Sequence, residues 1–296
     1  MLPASPSSPC TRASRADARL APVSPPPPLE VHLARDASDV EAAQRLRFRV
    51  FHEEWGAHAD ADARRLGRDA DAYDAVMDHL VVVDPSLPRS DRVVGTYRLL
   101  RGDRRGARDF YTSHEFELGP LLDSPRRLLE LGRSCVLREY RQRAALPLLW
   151  RTIASYVAEH RIDLMFGCAS LRGTDPDAVG DQLAWLHDHC LAPPGLRPRA
   201  RGDSATPMDR GVSPGYAPER AFRALEPIIK GYVRAGAYVG EGAWVDHAFN
   251  AIDVCIVMPT ERLSSRYAQR FERGNARAAA RMLASVPLAA AVARAG

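Results

Sequence analysis

Apolar and polar positions along this chain change period several times, and the changes divide it into elements. Ser38 followed by Glu41 has the spacing of a capping box and predicts a helix running to about Trp55, with Ala43, Leu46, Val50 and Phe51 as its apolar stripe. Arg47 and Glu54 fall inside that stripe. A buried arginine needs a carboxylate or a ligand; otherwise it must reach the surface along its stem. Residues 57–73 are rich in Asp, Arg and Ala with weak periodicity, which suits a mobile loop or a ragged helix. Two strand patterns follow at 79–83 and 93–100, then a connection over 102–127 with a helical piece around 116–122. Residues 128–136 form an apolar run interrupted by Glu130 and Arg133, and a basic loop, 138–143, leads into a helix marked by Pro147 and ending near His160. The nearly all-apolar run 163–171 predicts a central strand, and Asp175-Pro176 predicts the start of a helix reaching Cys190. Beyond a Pro-, Gly- and Arg-rich stretch at 192–217 come a helix at 227–235 stopped by Gly236, then strands at 237–239 and 253–258. Helices alternating with strands predict an α/β fold with one mixed central sheet flanked by helices.

The ends differ in composition. Residues 1–29 are rich in Pro, Ser and Ala and predict a disordered arm; 30–260 form the folded domain; 261–296 are basic and alanine-rich, a helix or tail. Net charge is only +4, which admits an acidic partner or a membrane surface but is too small to argue for nucleic acid. The five cysteines have no zinc spacing, and Cys135, Cys168 and Cys255 lie in strand-like runs, so they read as buried reduced thiols of a cytoplasmic protein. His187, His189 and Cys190 diverge on a helix, and no metal site is expected.

Glu130 and Arg133 carry the most chemistry. Glycine inside a strand often marks a bulge, and a bulge at Gly132 would turn both charged side chains to one side. It would also leave a backbone N–H to hold a carbonyl oxygen as it becomes an oxyanion. A buried structural ion pair is the alternative.

In this order of elements the chain resembles the GNAT N-acyltransferase superfamily. More narrowly, it is similar to the L-ornithine N-alpha-acyltransferases of ornithine lipid biosynthesis. The segments that carry the resemblance are Arg47-Phe48-Arg49-Val50-Phe51, Asp78-His79-Leu80, Val94 to Leu99, Glu130 to Val136, Gly167-Cys168-Ala169-Ser170, Gly173 to Pro176, Ile229 to Tyr232, and Asp246-His247 through Asn250 to Val257. They cover about residues 31–271. The acyl-homoserine lactone synthases, which use S-adenosylmethionine, share the Arg-x-x-Val-Phe helix and the Glu-x-x-Arg strand and are the alternative enzyme. A catalytically inactive acyl-carrier-binding protein is the alternative from another class.

The resemblance implies transfer of a 3-hydroxyacyl group from acyl carrier protein to the α-amine of L-ornithine, giving lyso-ornithine lipid, with no permanently bound cofactor. The donor would be the acyl-phosphopantetheine of the carrier. Where the superfamily's pyrophosphate loop has glycines, this chain has Ala144 and Leu146 after Arg141, which suits a carrier better than coenzyme A. Val136, Arg138, Arg141, Arg143, Ala144 and Ala145 would meet the carrier and its pantetheine. Glu130 is expected as general base, with Asp78 and His79 second, and Arg47 or Arg133 would clamp the substrate carboxylate. Phe51, Trp55, Asp74, Arg98, Asp246 and Asp253 would line the substrate site, an aspartate holding the side-chain ammonium. The basic tail predicts peripheral contact with the inner membrane.

Overall fold

The computed structural model describes residues 28–104, 110–142, 145–209 and 212–266. Most of the N-terminal arm, Arg143, Ala144 and most of the basic tail lie outside the described residues. A nine-stranded sheet runs in the order β1 (Glu30–Leu33), β2 (Asp78–Val83), β3 (Val93–Arg101), β5 (Leu128–Val136), β6 (Leu164–Arg172), β11 (Ala251–Pro259), β10 (Ala243–Asp246), β8 (Ala205–Thr206), with β9 (Tyr238–Val239) also on β11. Among the described strands β5 and β6 pair in parallel and the other ladders are antiparallel, with single parallel bridges at Leu191↔Val239 and Arg199↔Glu241. A separate two-stranded ribbon joins β4 (Phe116–Glu117) to β7 (Arg199–Ala200).

Strand alternation divides the core in two. Along β6, Met165, Ala169 and Leu171 face a large cluster that includes α1 (Ala37–Arg47) and α4 (Ala145–Glu159). Leu164, Phe166 and Cys168 face a smaller cluster built on Phe110, Phe116 and Leu121, the last from α3 (Gly119–Leu122). The expected helix to Trp55 is present but changes character: α1 is followed by a π-helical stretch, Phe48–Glu54, in which Trp55 N donates to the Val50 carbonyl at 3.1 Å. Its cap is Asp36, which accepts from the N–H groups of Ser38 and Asp39; the Ser38–Glu41 spacing does not form the cap.

The stretch 57–73 contains a six-residue helix, α2 (Ala61–Leu66), and leads into a 3-10 turn, Ala72–Ala75. Asp175 accepts from Asp177 N in a turn, and the helix predicted there, α5 (Gly180–Cys190), begins later. Sequence pattern missed α6 (Pro218–Ala224) and β10, whereas α7 (Pro227–Ala235) ends as expected at Gly236, φ +97°. The chain closes on α8 (Thr260–Arg266). Among the described residues no helix is long and apolar enough to cross a membrane.

The parallel pair β5–β6 holds for only three registers, Leu128↔Leu164, Leu129↔Met165 and Glu130↔Phe166. Past them β5 continues along β3 to Val136 and β6 along β11 to Arg172, so the two strands part in the middle of the sheet. The last point of contact is Gly167. A Cβ there would sit 2.1 Å from the Leu131 carbonyl oxygen. On β5, the register passes from Thr96↔Cys135 to Arg98↔Gly132, setting Arg133 and Ser134 opposite Tyr97. This is the expected bulge, with one correction: the left-handed residue is Arg133, φ +50°, and a Cβ on Gly132 would meet nothing within 4 Å.

Gly167→Ala is therefore expected to lower stability by about 1–3 kcal/mol or more in urea unfolding, because backbone cannot move away as a side chain can. Gly132→Ala should stay within about 0.5 kcal/mol of the parent. Equal midpoints for the two variants would contradict the close approach at Gly167.

Candidate active site

Where β5 and β6 part, a cleft with about 100 Å³ of internal space opens between them, lined by residues from both faces of the sheet. Its walls come from both clusters: Phe51, Tyr97, Leu131, Ala169 and Tyr232 from the larger, Met77 and Cys168 from the smaller. The π-helical stretch brings Phe51 and Trp55 to the wall, where Phe51 meets Trp55 and Phe249 edge-on at 6.0 and 5.9 Å. On the larger-cluster side the Tyr97 and Tyr232 hydroxyls bond to each other. Burial pushes Tyr97 up to about 12 and Tyr232 well above its ordinary value, so both stay un-ionised.

Glu130 faces the smaller cluster and lines the cleft. It does not pair with Arg133. Its carboxylate accepts from Thr112 N and Thr112 Oγ1, each at 2.6 Å, and from Tyr111 N at 3.1 Å, at the start of a 3-10 turn, Tyr111–His114. Burial outweighs those bonds and raises the carboxyl above the usual glutamate range.

Arg133 belongs to a balanced lattice of three arginines and three aspartates. Asp74 accepts both terminal nitrogens of Arg47 at 2.7 and 2.8 Å and Arg98 Nη1 at 2.9 Å. Asp69 accepts Arg47 Nε at 2.8 Å and lies 3.3 Å from Arg133 Nε. Asp71 accepts Arg98 at 2.5 Å and Arg133 at 3.4 Å. Burial acts against the charged forms, yet His52 and the arginines around Asp69, and Arg47 with Arg98 around Asp74, hold both carboxyls far below the usual aspartate range. The lattice fixes Arg133 so that its guanidinium lies 4.3 Å from the Phe249 ring centre and 4.7 Å from that of Tyr111, at the cleft wall.

A second acidic group has no such partners. Glu115, Asp246 and Asp253 are buried, and one carboxylate oxygen of each lies within 4.8 Å of the others. Asp253 accepts from Ser170 Oγ at 2.5 Å, and Asp246 from Ala248 N and Phe249 N at 2.8 and 2.9 Å. Glu115 Oε2 is shut off from solvent with no hydrogen-bond partner. All three line the cleft.

The expected site residues therefore divide. Glu130, Arg133, Phe51, Trp55, Arg98, Asp246 and Asp253 meet at the cleft. Arg47 is fully buried and Asp74 is held in the lattice; neither lines the wall, so neither is placed to touch a substrate. Asp78 lies elsewhere, its carboxylate taken by Tyr156 Oη at 2.6 Å and Arg104 at 2.8 Å. His79 is buried against the Asp74 carbonyl, and burial lowers its pKa. In the loop before α4, Arg138 is exposed on a 3-10 turn, whereas Arg141 grips Glu54 through two bonds of 2.5 and 2.6 Å. Val136 and Ala145 are buried at the ends of β5 and α4. Sequence reading missed Glu115, Asp69, Asp71, Tyr97 and Tyr232. Glu115 stands in no periodic pattern, between His114 and Phe116, and only the β4–β7 ribbon brings it inward.

Residues 46–151 match the family model described as an acetyltransferase (GNAT) domain. The chain is 45% identical over 247 residues to the L-ornithine N(alpha)-acyltransferase of Rhodobacter capsulatus, covering 82% of this chain and 95% of that protein. It is 43% identical over 244 residues to the protein of the same name from Agrobacterium fabrum, covering 81% and 83%. Among solved structures, FeeM, an N-acyl amino acid synthase from uncultured soil microbes, aligns over 83% of this chain and 98% of that one, at 13% identity and a TM-score of 0.43.

The lattice sets the acid limb of stability. Asp69 and Asp74 have folded-state values below the unfolded value near ~3.9, so their stabilisation is complete above about pH 5 and is lost as pH falls below about 4. Urea midpoints should fall steeply over that window. Asp74→Asn should flatten the fall and cost about 3–5 kcal/mol near neutrality, because it strands buried arginines. A variant with the parent's acid limb would contradict the assignment.

Proposed function

The chain belongs to the L-ornithine N(alpha)-acyltransferases of the GNAT type, and from that premise we propose that it moves a 3-hydroxyacyl group from acyl carrier protein to the α-amine of L-ornithine, giving lyso-ornithine lipid. The observation that carries this reading is the cleft between β5 and β6, with Glu130 and Arg133 on its wall. An extended acyl-pantetheine and a compact, charged amino acid can approach one point from opposite faces.

The amine nitrogen attacks the thioester carbon, the C–S bond breaks, and the pantetheine leaves as a thiol. An α-ammonium titrates near ~7.7–8.0, so a modest base suffices to supply the neutral amine. Glu130, raised by burial, accepts that proton directly or through one water. The bulge leaves more N–H groups on β5 than β3 can accept, and those of Arg133 and Ser134 are the donors for the oxyanion. The Arg133 guanidinium meets the substrate carboxylate. The un-ionised Tyr97–Tyr232 hydroxyl pair on the opposite face gives a proton to the departing sulfur, and the proton the nitrogen sheds on becoming an amide passes through solvent to restore it.

Arg138 supports a carrier donor because it is exposed beside the start of α4, while Arg141 is already neutralised by Glu54. No glycine in this loop allows the close backbone approach a coenzyme A pyrophosphate uses. Contact of the basic tail with an anionic membrane surface would deliver the product where it is used.

Mass spectrometry of the products from 3-hydroxyacyl carrier protein and L-ornithine should show an N-alpha amide. Product only from acyl-coenzyme A would overturn the donor, and carrier binding without product would overturn the activity. Glu130→Gln should lower kcat about 10²-fold in a protein that still folds, with some loss of Tm because one backbone N–H at Tyr111 or Thr112 loses its acceptor; full activity would remove Glu130 from the proton transfer.

A further inference from the structure

The three carboxyls Glu115, Asp246 and Asp253 take no part in acyl transfer as described above. They come from separate places: Glu115 from the link between the 3-10 turn and β4, Asp246 from the end of β10, Asp253 from near the start of β11. Folding drives all three out of solvent to within 4.8 Å of one another. Such an arrangement is costly unless something offsets the repulsion. The groups around it do not. Cys168 on β6, Cys255 on β11 and Tyr111 on the 3-10 turn face it as neutral groups, and Glu130 on β5 is a further acid. Among the described residues the cation facing it is Arg133, which is bound to Asp71 and Asp69 and packed against two rings. Glu115 Oε2 is shut off from solvent without a well-formed hydrogen bond, and the polar groups nearest Glu115 are the Cys168 thiol and the Asp253 carboxyl.

We propose that Glu115, Asp246 and Asp253 form a socket that takes the acceptor's side-chain ammonium in exchange for a proton, so that the acceptor is selected by its second cation. This inference rests on the reading of ornithine as acceptor. An ammonium brings three N–H donors and one positive charge to three buried carboxyls, one of which holds an unused oxygen. Empty, the socket cannot keep three negative charges together. Burial, aided by the charge of Asp246, raises Asp253 to about 6, and burial with the charge of Asp253 raises Glu115 further above its ordinary value. Glu115 and Asp253 are close enough to share a hydrogen bond, so the empty socket holds its proton between them. When the cation enters, that O–H ionises, the proton leaves to solvent, and the carboxylates close on the ammonium. Binding of a diamino acid is thus proton-linked, and its affinity rises with pH until the side-chain ammonium itself begins to deprotonate. An amino acid of equal length without the second amine gains nothing from the socket.

Calorimetric titration of the full-length protein at about pH 7, in two buffers of different ionisation enthalpy, separates protons released from heat of binding. L-ornithine should release about one proton more than L-norvaline, its analogue lacking the side-chain amine. In acylation assays Glu115→Gln should reduce the preference for ornithine over norvaline roughly 10-fold or more. The loss should fall on KM for ornithine and leave norvaline turnover in place, which general unfolding would not do. Equal proton release by the two ligands overturns the socket while leaving ornithine as acceptor. Failure of ornithine to bind or react at all overturns the acceptor reading itself. Stabilisation by Ca²⁺ or Mn²⁺ that is abolished in Glu115→Gln, with no proton released by ornithine, assigns the carboxyls to a metal and also overturns the proposal.

Discussion

The separation of β5 from β6 is the constraint on which the rest of the site depends. Parallel strands in mid-sheet ordinarily satisfy their backbone groups through an unbroken ladder. Here the ladder stops after Glu130↔Phe166, and Gly167 lies so close to the Leu131 carbonyl that no side chain fits between them. Each strand then keeps its hydrogen bonds on its outer side only, β5 through β3 and β6 through β11. The Arg133 bulge falls at the same place. Its extra residue turns β5 away from its former neighbour and sets a charged residue on the wall of the resulting gap. A contact fault in the sheet thus becomes a cleft lined from both its faces.

Two sets of buried acids flank this cleft in opposite electrical states. Asp69, Asp71 and Asp74 are matched by Arg47, Arg98 and Arg133, and the charged pairs hold Asp69 and Asp74 far below the usual aspartate range. Around Glu115, Asp246 and Asp253 the cations do not match the acids, and burial raises Glu115 and Asp253 above their ordinary values. Acidic side chains beside one cleft therefore differ in function. The first set is rigid and neutral overall, which suits the fixing of Arg133. The second leaves attraction for a positive charge unspent, which suits a ligand that comes and goes.

Legibility in the sequence followed the range of the interactions. The strand patterns, the helix after the basic loop, and the α7 stop at Gly236 are local, and they were readable from period and capping residues. Arg47, an arginine in an apolar stripe, announces a partner, either a carboxylate or a ligand unless it reaches the surface, and the partners it has are Asp69 and Asp74. It could not announce which, since Asp69 lies in the weakly periodic stretch 57–73 and Asp74 just beyond it. Gly132 attracted the bulge for a sound local reason, but the strain settled on Arg133, whose side chain is held by the lattice and two aromatic rings. Glu115 was not legible at all. Its partners come from β10 and β11, about 130 residues later, and no spacing rule connects them.

The same environment bears on the choice between direct transfer and a covalent acyl-enzyme. Cys168 is the one cysteine on the cleft wall, and a thioester exchange onto it would need its thiolate. Burial, with Glu115 and Asp253 alongside, raises that thiol well above its ordinary value, and Thr112 Oγ1 lies within weak hydrogen-bond distance, 3.7 Å, of its sulfur. Acids that attract an ammonium repel a thiolate. The feature that makes the site receptive to a cationic amine therefore also disarms its nearest competing nucleophile, and the amine's direct attack on the thioester is the route this electrostatic arrangement favours.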